Sequence, residues 1–596
     1  MEKIIKSITV LFVCIQLVSC NEEEFLEPKN VNTPDANSFV SDRGTAQASV
    51  FAIYGAMQDA DICGGNATRS YEAMSHTAKA PHFNQTGDIA SLNNLSFSVD
   101  GGIVLGAFSK LYLMIDRANL SIAGINNLQE GVLTPGLKQT LLGEAHFLRG
   151  LAYFWLMRTY NQGSVPLITV SSNTIQETQQ YDNAPRSQVL QQVMDDFNFA
   201  KANLPLLKGN RMISVSGVSV ELDPWEEKFI GRATWGAAVS YLGKVYLYEN
   251  EFDKAAAEFK SVIDSDEYSL VENFVDNTNT LGEFNSESIF EVGYSDSPPV
   301  VQPNFGGGEG ATVNETTTRG YQFNWGNGGW GTTHTSNFIT ELFKSDIVDE
   351  NDPKNYIDGD VTNKSPENFT GFSKRCNSSI AFVGDNTKFY NLDLKLGEDN
   401  LSEGTSNSIC RKFTNWNLAN EPAVAVSAIN ERLMRLADVY LMYAEALLRG
   451  SGDKAEGSGN VNEAVLYINR IRKRAGVIDL ETLFGAPRTY MQVENNRTTG
   501  VINPKEFPIR ALNAENILKH LWDEERILEF AFEGRGISWQ DLIRRPDLVA
   551  RIEELNNYEY VHWGAKNEFE TAAQNIVSDP NGAIYFPIPA IEELRK

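Results

Sequence analysis

The stretch TWGAAVSYLGKVYLYENEFDKAAAEFKSVI, residues 234–263, contains two apolar runs with a short polar turn between them. Within each run the apolar residues recur three and four positions apart, which is the spacing of an amphipathic helix. Gly243 and Ala255 are small enough to let two helices approach closely, while Tyr246 and Phe259 can fill the space between neighbouring pairs. The stretch therefore predicts a helix pair that stacks on others of its kind.

This helix pair matches the tetratricopeptide pattern at the expected spacings, through Leu242, Gly243, Tyr246, Ala255, Phe259 and Val262. A related unit runs from residue 433 to 471, and residues 141–160 with 189–204 form a third. Helical spacing also extends over 39–57 and 104–123. Because such units bury their apolar faces only against neighbours, they predict a mainly α, tetratricopeptide-like superhelix.

The rest of the chain divides around these repeats. We predict a signal peptide over 1–19, a lipidated cysteine with an acidic tether over 20–38, an N-terminal helical-repeat part over 39–280, a large irregular, loop-rich insertion over 281–420, and C-terminal repeat helices with a terminal segment over 421–596. Glycine, asparagine, threonine and aromatic residues dominate the insertion. Insertions in repeat proteins gather on one face, and that face commonly binds a ligand.

The first twenty residues resemble an export signal. Lys3 and Lys6 precede the apolar run 8–18, which is too short to span a membrane as a helix. The run ends in Leu-Val-Ser-Cys at 17–20, which resembles the bacterial lipobox and predicts lipid attachment at Cys20. The alternative is an ordinary secretory signal whose last residue happens to be cysteine.

An acidic run at 21–24 follows the cysteine and resembles the surface-export signal of Bacteroidetes lipoproteins. A solvated linker is the alternative interpretation, and the two are compatible. Since no other apolar stretch approaches about 20 residues, we expect the lipid alone to hold the chain at the outer membrane, facing the exterior.

The charge balance limits the function classes. The 596 residues include 78 acidic and 51 basic side chains, a formal net charge of −27. Nucleic-acid binding and docking on anionic lipid both need a clustered cationic face, so nucleic-acid binding is excluded and electrostatic docking on anionic lipid is disfavoured. The sequence contains no nucleotide-binding fingerprint, no serine–histidine–aspartate elbow and no histidine spacing typical of a metal site, so no cofactor is expected.

The insertion contains the main candidate for a binding site, YQFNWGNGGWG at 321–331. Its glycines disfavour regular packing, so Tyr321, Trp325 and Trp330 are candidates for an exposed aromatic platform. Sugar rings stack on such faces, and amides such as that of Asn327 hydrogen-bond their hydroxyl groups. The alternative is a loop that these aromatic side chains anchor onto the helical scaffold.

A second candidate loop spans 71–95 and contains His82, Phe83 and Asn84. It lacks a tryptophan, and Phe83 could equally pack against its own scaffold. We include the three residues as candidate ligand contacts.

Several acidic side chains have a structural interpretation. Glu525, Glu529 and Glu533 recur every four residues near several arginines, which predicts an ion-pair network on one helix face rather than catalysis. The acidic loop 346–360 offers oxygen ligands for a structural calcium ion, but its spacing is not that of an EF-hand, and a solvated loop is the favoured alternative. Whether Cys376 and Cys410 form a disulfide stays open, because an odd number of cysteines follows the signal.

The chain resembles the SusD/RagB family of nutrient-uptake lipoproteins from the lipobox to the C-terminus. The segments that carry the resemblance are FLEP at 25–28, YGAM at 54–57, EAHFLR at 144–149, RLMRLADVYLMYAEA at 432–446, INRIR at 468–472, EFAFEG at 529–534 and YFPIP at 585–589. The resemblance implies a tetratricopeptide-based α fold, a SusC-like TonB-dependent transporter as partner, glycans or in some members peptides as ligands, and no catalytic residues.

Together these observations predict a non-enzymatic lipoprotein that captures oligo- or polysaccharide and delivers it to the transporter. Two alternatives remain: the same architecture capturing peptides, and a helical-repeat adaptor that binds only protein partners.

Overall fold

The computed structural model describes residues 39–79, 88–170, 182–226, 230–295, 316–323, 331, 333–365, 368–382, 389, 408–414, 416, 427–490, 505–559 and 570–590. The predicted signal, Cys20 and the acidic tether lie outside these residues. The described chain is mainly α-helical, as the repeat pattern predicts. None of its helices is long and apolar enough to cross a membrane.

The first half of the chain contains the longest helices, which begin and end close to the positions expected from sequence. They are α1 (Arg43–Met57), α2 (Gly65–Met74), α3 (Asp88–Asn93), α4 (Gly102–Asn127), α5 (Pro135–Thr159), α6 (Arg186–Asn203), α7 (Trp235–Tyr248) and α8 (Phe252–Asp264). The side chain of Asp42 accepts a hydrogen bond from the Thr45 amide and begins α1 four residues later than the predicted start at 39.

Short helices follow in the insertion and longer ones in the C-terminal part. They are α9 (Arg319–Phe323), α10 (Asn337–Lys344), α11 (Lys374–Ser379), α12 (Leu436–Arg449), α13 (Gly459–Ala475), α14 (Leu480–Gly485), α15 (Ala514–His520), α16 (Arg526–Phe530), α17 (Ile537–Ile543), α18 (Leu548–Glu559), α19 (Glu570–Ser578) and α20 (Pro580–Ile584). A π-helical turn, Leu521–Glu525, joins α15 to α16.

The long helices stack in sequence order, with α4 on α5, α5 on α6, α6 on α7, α7 on α8, α8 on α12 and α12 on α13. A Cβ atom on Gly243 would lie 2.7 Å from the ring of Phe259, so α7 and α8 approach as closely as their small residues allow. Leu242, Ala255 and Phe259 are fully buried. The predicted helix pair and its stacked neighbours are therefore present.

The strands pair in antiparallel twos. They are β1 (Ala78–Lys79), β2 (Arg211–Val215), β3 (Val218–Leu222), β4 (Ser288–Val292), β5 (His334–Thr335), β6 (Ile380–Phe382), β7 (Ser408–Cys410), β8 (Glu431–Arg435), β9 (Arg488–Tyr490) and β10 (Lys505–Phe507). The pairs are β1 with β5, β2 with β3, β4 with β8, β6 with β7, and β9 with β10.

One predicted helix start is wrong. The second repeat unit was expected to run from residue 433, but residues 431–435 form β8, and α12 begins only at Leu436. Every residue of β8 is buried, because β4 pairs along one edge and the ion pairs of its arginines occupy the interior around it. An all-buried strand has no alternating pattern, so periodicity does not distinguish it from a buried helical turn.

The described part of the insertion has a small core of its own. Phe338, Ile339 and Phe343 of α10 pack with Cys376, Phe382 and Cys410, and this cluster continues into the C-terminal part through Leu528, Ala531 and Phe532. The insertion is thus seated on the segment around α16. Cys376 and Cys410 are both buried thiols, and no disulfide joins them.

Candidate functional site

The two loops predicted to bind ligand share one structural base. Strand β1 pairs antiparallel with β5, with Ala78 opposite Thr335 and Lys79 opposite His334. Segment 80–87 leaves from the end of β1, and segment 324–332 leads into β5. The chain therefore brings together the bases of two loops that lie about 250 positions apart in sequence.

The candidate residues themselves are mostly not covered by the structure. His82, Phe83, Asn84, Trp325, Asn327 and Trp330 lie outside the described residues, and Tyr321 lies on α9 with a side chain that is not described. Their roles stay predictions.

Helix α9, which contains Tyr321, is fixed by the arginine at its start. Arg319 is fully buried, forms an ion pair with Glu431 of β8, donates to the carbonyl of Ile429 at 2.6 Å, and lies 4.1 Å above the ring of Phe413. Burial lowers the pKa of Arg319 to about 10, which leaves the guanidinium charged at neutral pH. Arg319 therefore fixes the start of α9 against β8, the strand that directly precedes α12.

Helix α2 also packs against α9. A Cβ atom on Gly65 would lie 2.7 Å from the hydroxyl oxygen of Thr318, so only glycine permits this contact. Farther along α2, the carboxylate of Glu72 accepts a hydrogen bond from the Thr77 hydroxyl. Burial raises the pKa of Glu72 to about 7.

A group of buried hydroxyl groups connects β5 to β7. Thr335 donates to the carbonyl of Ser408 at 2.6 Å, and the hydroxyl groups of Thr340 and Ser408 are 2.6 Å apart. The amide of Ser336 donates to the carbonyl of Thr77 at 3.0 Å, and the Ser336 hydroxyl caps α10 by accepting from the amide of Ile339. Because these polar groups are satisfied by fixed partners, the loop bases form a rigid frame.

The predicted ion-pair network is confirmed, and it is buried. Arg435 donates to Glu287 at 2.5 Å, to Glu529 at 3.1 Å and to Glu533 at 2.8 Å. Glu525 accepts from Arg375 and Arg472, each at 2.6 Å. Although burial opposes ionisation, these two guanidinium groups lower the pKa of Glu525 well below its ordinary value.

The geometry of that network differs from the prediction in one respect. Glu525 and Glu529 lie on the π turn and α16, but α16 ends at Phe530 and Phe532 has a positive φ of 69°. Glu533 therefore lies past the helix end and is not on the same helical face. It reaches Arg435 and Lys412 because the chain turns back at Phe532.

The acidic loop divides into two kinds of carboxylate. Asp346 is buried and receives a hydrogen bond from Arg375 at 2.7 Å, so it belongs to the ion-pair network. Asp349, Asp352 and Asp358 accept hydrogen bonds from backbone amides two residues further along, as in Asx turns. Within the described ranges, no group of three or more histidine, cysteine or acidic side chains could hold a metal ion.

Sequence reasoning missed the residues that join the loops. Lys79, His334, Thr335 and Ser408 lie on strands of two or three residues, which are too short to show a period. The one visible signal is the polar run Thr332-Thr333-His334-Thr335-Ser336 directly after the glycine-rich segment.

The fold defines a class: a tetratricopeptide-like helical protein in which loops of the N-terminal part and of an inserted segment meet at a shared base. The profile of the SusD family matches residues 286–594, and a second profile, described as starch-binding associating with outer membrane, matches residues 24–247. Since the first match covers more than half of the sequence, the chain belongs to the SusD family.

Individual relatives are similar over nearly the whole length. SusD-like protein P2 of Formosa agariphila is 24% identical over 550 residues, which is 90% of each chain. A SusD superfamily protein from Bacteroides vulgatus has a similar fold, with a TM-score of 0.67, 22% identity, and coverage of 94% of this chain and 98% of that one. A laminarin binding SusD-like protein gives a TM-score of 0.62 at 21% identity, with 93% and 98% covered.

Proposed function

We propose that this protein is a surface-exposed glycan-binding lipoprotein, which captures oligo- or polysaccharide and delivers it to a TonB-dependent outer-membrane transporter. Membership of the SusD family supports this proposal, as does the description of the profile that matches residues 24–247. Two structural neighbours are described as a laminarin binding SusD-like protein and as a surface glycan-binding protein from Bacteroides uniformis, the latter with a TM-score of 0.57 at 19% identity and coverage of 91% of this chain and 99% of that one.

The observation that carries the ligand site is the pairing of Lys79 with His334. It gives the segments 80–87 and 324–332 a common base, which supports a site in which side chains from both contact one extended ligand. In this proposal Trp330, Trp325 and Tyr321 stack on the apolar faces of sugar rings, and Phe83 extends that platform. Asn327, Asn84 and His82 hydrogen-bond the hydroxyl groups.

A binding role without catalysis agrees with the described carboxylates. Glu525, Glu529 and Glu533 are fully buried and engaged by guanidinium groups. The neighbouring guanidinium groups lower the pKa of Glu525 and of Glu533, which makes these two carboxylates poor general acids. Stacking and neutral hydrogen bonds give modest affinity, which permits release to a transporter.

The lipid on Cys20 would hold the protein to the outer leaflet through the acidic tether, and the stacked repeats would dock on the transporter. Replacing Cys20 with alanine should shift the protein from the membrane to the soluble fraction and abolish incorporation of a labelled fatty acid. A variant that remains acylated and membrane-bound would remove the anchor assignment.

The glycan proposal is tested by affinity gel electrophoresis of the purified mature chain in gels that contain single polysaccharides, laminarin and starch among them. Retardation by one polysaccharide is expected to be lost in Trp330→Ala. A matched control is Trp225→Ala, because Trp225 belongs to neither candidate loop and stacks instead on Arg232, whose guanidinium carbon lies 3.7 Å from the ring centroid. Equal retardation of Trp330→Ala and wild type would overturn the site, and no retardation in any gel would overturn the function.

A further inference from the structure

A cleft of about 630 Å³ lies at the C-terminal end of the described chain, and we call it the C-terminal cleft. Its lining comes from the loop around Phe97, the turn at Asn161 and Gln162, and the segment from Asn575 to Pro587. The volume is that of a typical small-ligand site. Of its described lining residues only Leu95, the last residue of the candidate loop 71–95, belongs to either predicted loop, and none lies in segment 80–87 or on β1 or β5.

The walls of the cleft are held by contacts between distant parts of the chain. The amide of Asn161 donates to the carbonyl of Phe586 at 2.9 Å, and the amide of Phe586 donates to the carbonyl of Thr159 at 2.7 Å. The rings of Phe97 and Phe586 are in edge-to-face contact with centroids 4.7 Å apart. The cleft is therefore a preformed feature.

One wall has a strained backbone. Asn161 and Gln162 have positive φ values of 43° and 54°, and Gly163 follows with 86°. Glycine adopts this region without cost and asparagine with little, so the local penalty falls mainly on Gln162. Gln162 is exposed and lines the cleft. Strain of this kind is concentrated at functional sites.

The lining has the chemistry of a receptor for an uncharged, hydroxyl-rich molecule. Gln162 and Asn581 contribute amides, which both donate and accept hydrogen bonds, and Phe97 and Tyr585 contribute aromatic rings, whereas the side-chain amide of Asn161 already donates to the carbonyl of Ser164 at 2.8 Å. Asp579 is the only charged residue among the described lining residues, and its carboxylate already accepts from the amide of Gly582 at 3.0 Å. A carboxylate disfavours an anionic ligand, and no cation in this lining would attract one.

We propose that the C-terminal cleft is a second carbohydrate site, which binds a short neutral saccharide through the amides of Gln162 and Asn581 and the ring of Tyr585. This site is additional to the proposed loop site and needs neither Trp330 nor the segment 80–87. It rests on the proposed glycan function and adds to the aromatic platform of the loops a separate cleft for short sugars.

The test is saturation-transfer NMR and calorimetry of the mature chain with maltose, cellobiose, laminaribiose and lactose at millimolar concentration. The decisive variant is Gln162→Gly with Asn581→Ala. Glycine removes the amide and relieves the positive φ, so this variant should melt no lower than wild type. Loss of two amide hydrogen-bonding groups should weaken disaccharide binding about tenfold or more. Gln188→Ala removes an exposed amide on α6, outside the cleft, and should bind as wild type does.

Trp330→Ala distinguishes this proposal from the loop site. Unchanged disaccharide affinity in Trp330→Ala, with loss in the double variant, supports the cleft even if no polysaccharide gel retards the protein. Binding that is lost in Trp330→Ala and kept in the double variant overturns the cleft, as does the absence of binding by all four disaccharides. If the double variant melts at a lower temperature and loses its fold, Gln162→Gly alone takes its place. The same binding outcomes then support or overturn the cleft.

Discussion

Lys79 lies directly opposite His334 in the antiparallel pair at the base of the two candidate loops, and both side chains are buried. Burial, followed by the nearby Lys79 ammonium, lowers the pKa of His334 to about 4. The imidazole is therefore neutral at neutral pH.

This pairing predicts a loss of stability in acid. The unfolded chain protonates His334 near pH 6.5, whereas the folded chain does so only near pH 4. The stability that the neutral imidazole contributes is thus complete above pH 6.5 and is lost as the pH falls toward 4, by about 3 kcal/mol in total. Urea unfolding gives the difference in unfolding free energy between wild type and His334→Gln. That difference should change by about 3 kcal/mol between pH 7 and pH 4. A difference independent of pH would contradict the assignment.

Glu72 predicts the opposite dependence on pH. Burial raises its pKa to about 7 from an ordinary value of 4.5, so the folded chain resists ionisation that the unfolded chain permits. The stability that the neutral Glu72 carboxyl group contributes is complete below pH 4.5. It is lost as the pH rises through 7, by about 3 kcal/mol in total. Glu72→Gln should therefore raise the unfolding free energy more at pH 8 than at pH 4. Urea unfolding of wild type and variant at both pH values measures this difference.

The matched control for Glu72 is Glu515→Gln, because Glu515 is exposed on α15. Its substitution should change the unfolding free energy by less than about 0.5 kcal/mol at either pH. If both glutamine variants responded alike to pH, burial of Glu72 would not be the cause.

Arg435 should be far more important for stability than an exposed arginine with an equally short ion pair. Arg435→Met leaves Glu287, Glu529 and Glu533 buried without their shared guanidinium, and we expect a loss of about 3–5 kcal/mol. Arg186→Met breaks a pair with Glu249 in which the arginine is 37% exposed, and we expect a loss below about 1 kcal/mol. Denaturant unfolding of both variants measures the contrast, and losses of similar size would argue against the buried network.

The helical repeats could be predicted from sequence because helices of 13 to 25 residues repeat their apolar period many times. The ion-pair partners could be predicted only in part. The spacing of Glu525 and Glu529 indicated one face, but the partners Arg375 and Arg435 come from distant segments that no local pattern connects. Glu533 was placed on that face wrongly, because the backbone leaves the helix at Ala531 and turns at Phe532, whereas the first glycine, Gly534, comes only after Glu533.

The candidate site also depends on contacts between distant segments, which no local sequence pattern predicts. Composition identified the segment 321–331 and the loop 71–95 separately, as places where aromatic and amide residues occur without helical spacing. Their common base depends on two-residue strands and on hydroxyl contacts such as Thr335 with Ser408, which are tertiary contacts with no sequence period. The C-terminal cleft was missed for a similar reason, because its lining is drawn from three distant segments.

Two glycine substitutions test the close contact on which the repeat fold rests. Gly243→Ala places a Cβ atom 2.7 Å from the buried ring of Phe259, so α7 and α8 must separate, and we expect a loss of about 1–3 kcal/mol. Gly55 lies within α1, and a Cβ atom there meets no atom within 4 Å, so Gly55→Ala should gain about 0.5–1 kcal/mol from helix propensity alone. The melting temperature and the unfolding free energy should therefore fall in Gly243→Ala and rise in Gly55→Ala, although both variants add the same methyl group. A gain in Gly243→Ala would mean that α7 and α8 are not held at this distance, since the three atoms nearest to the added methyl group all belong to the ring of Phe259.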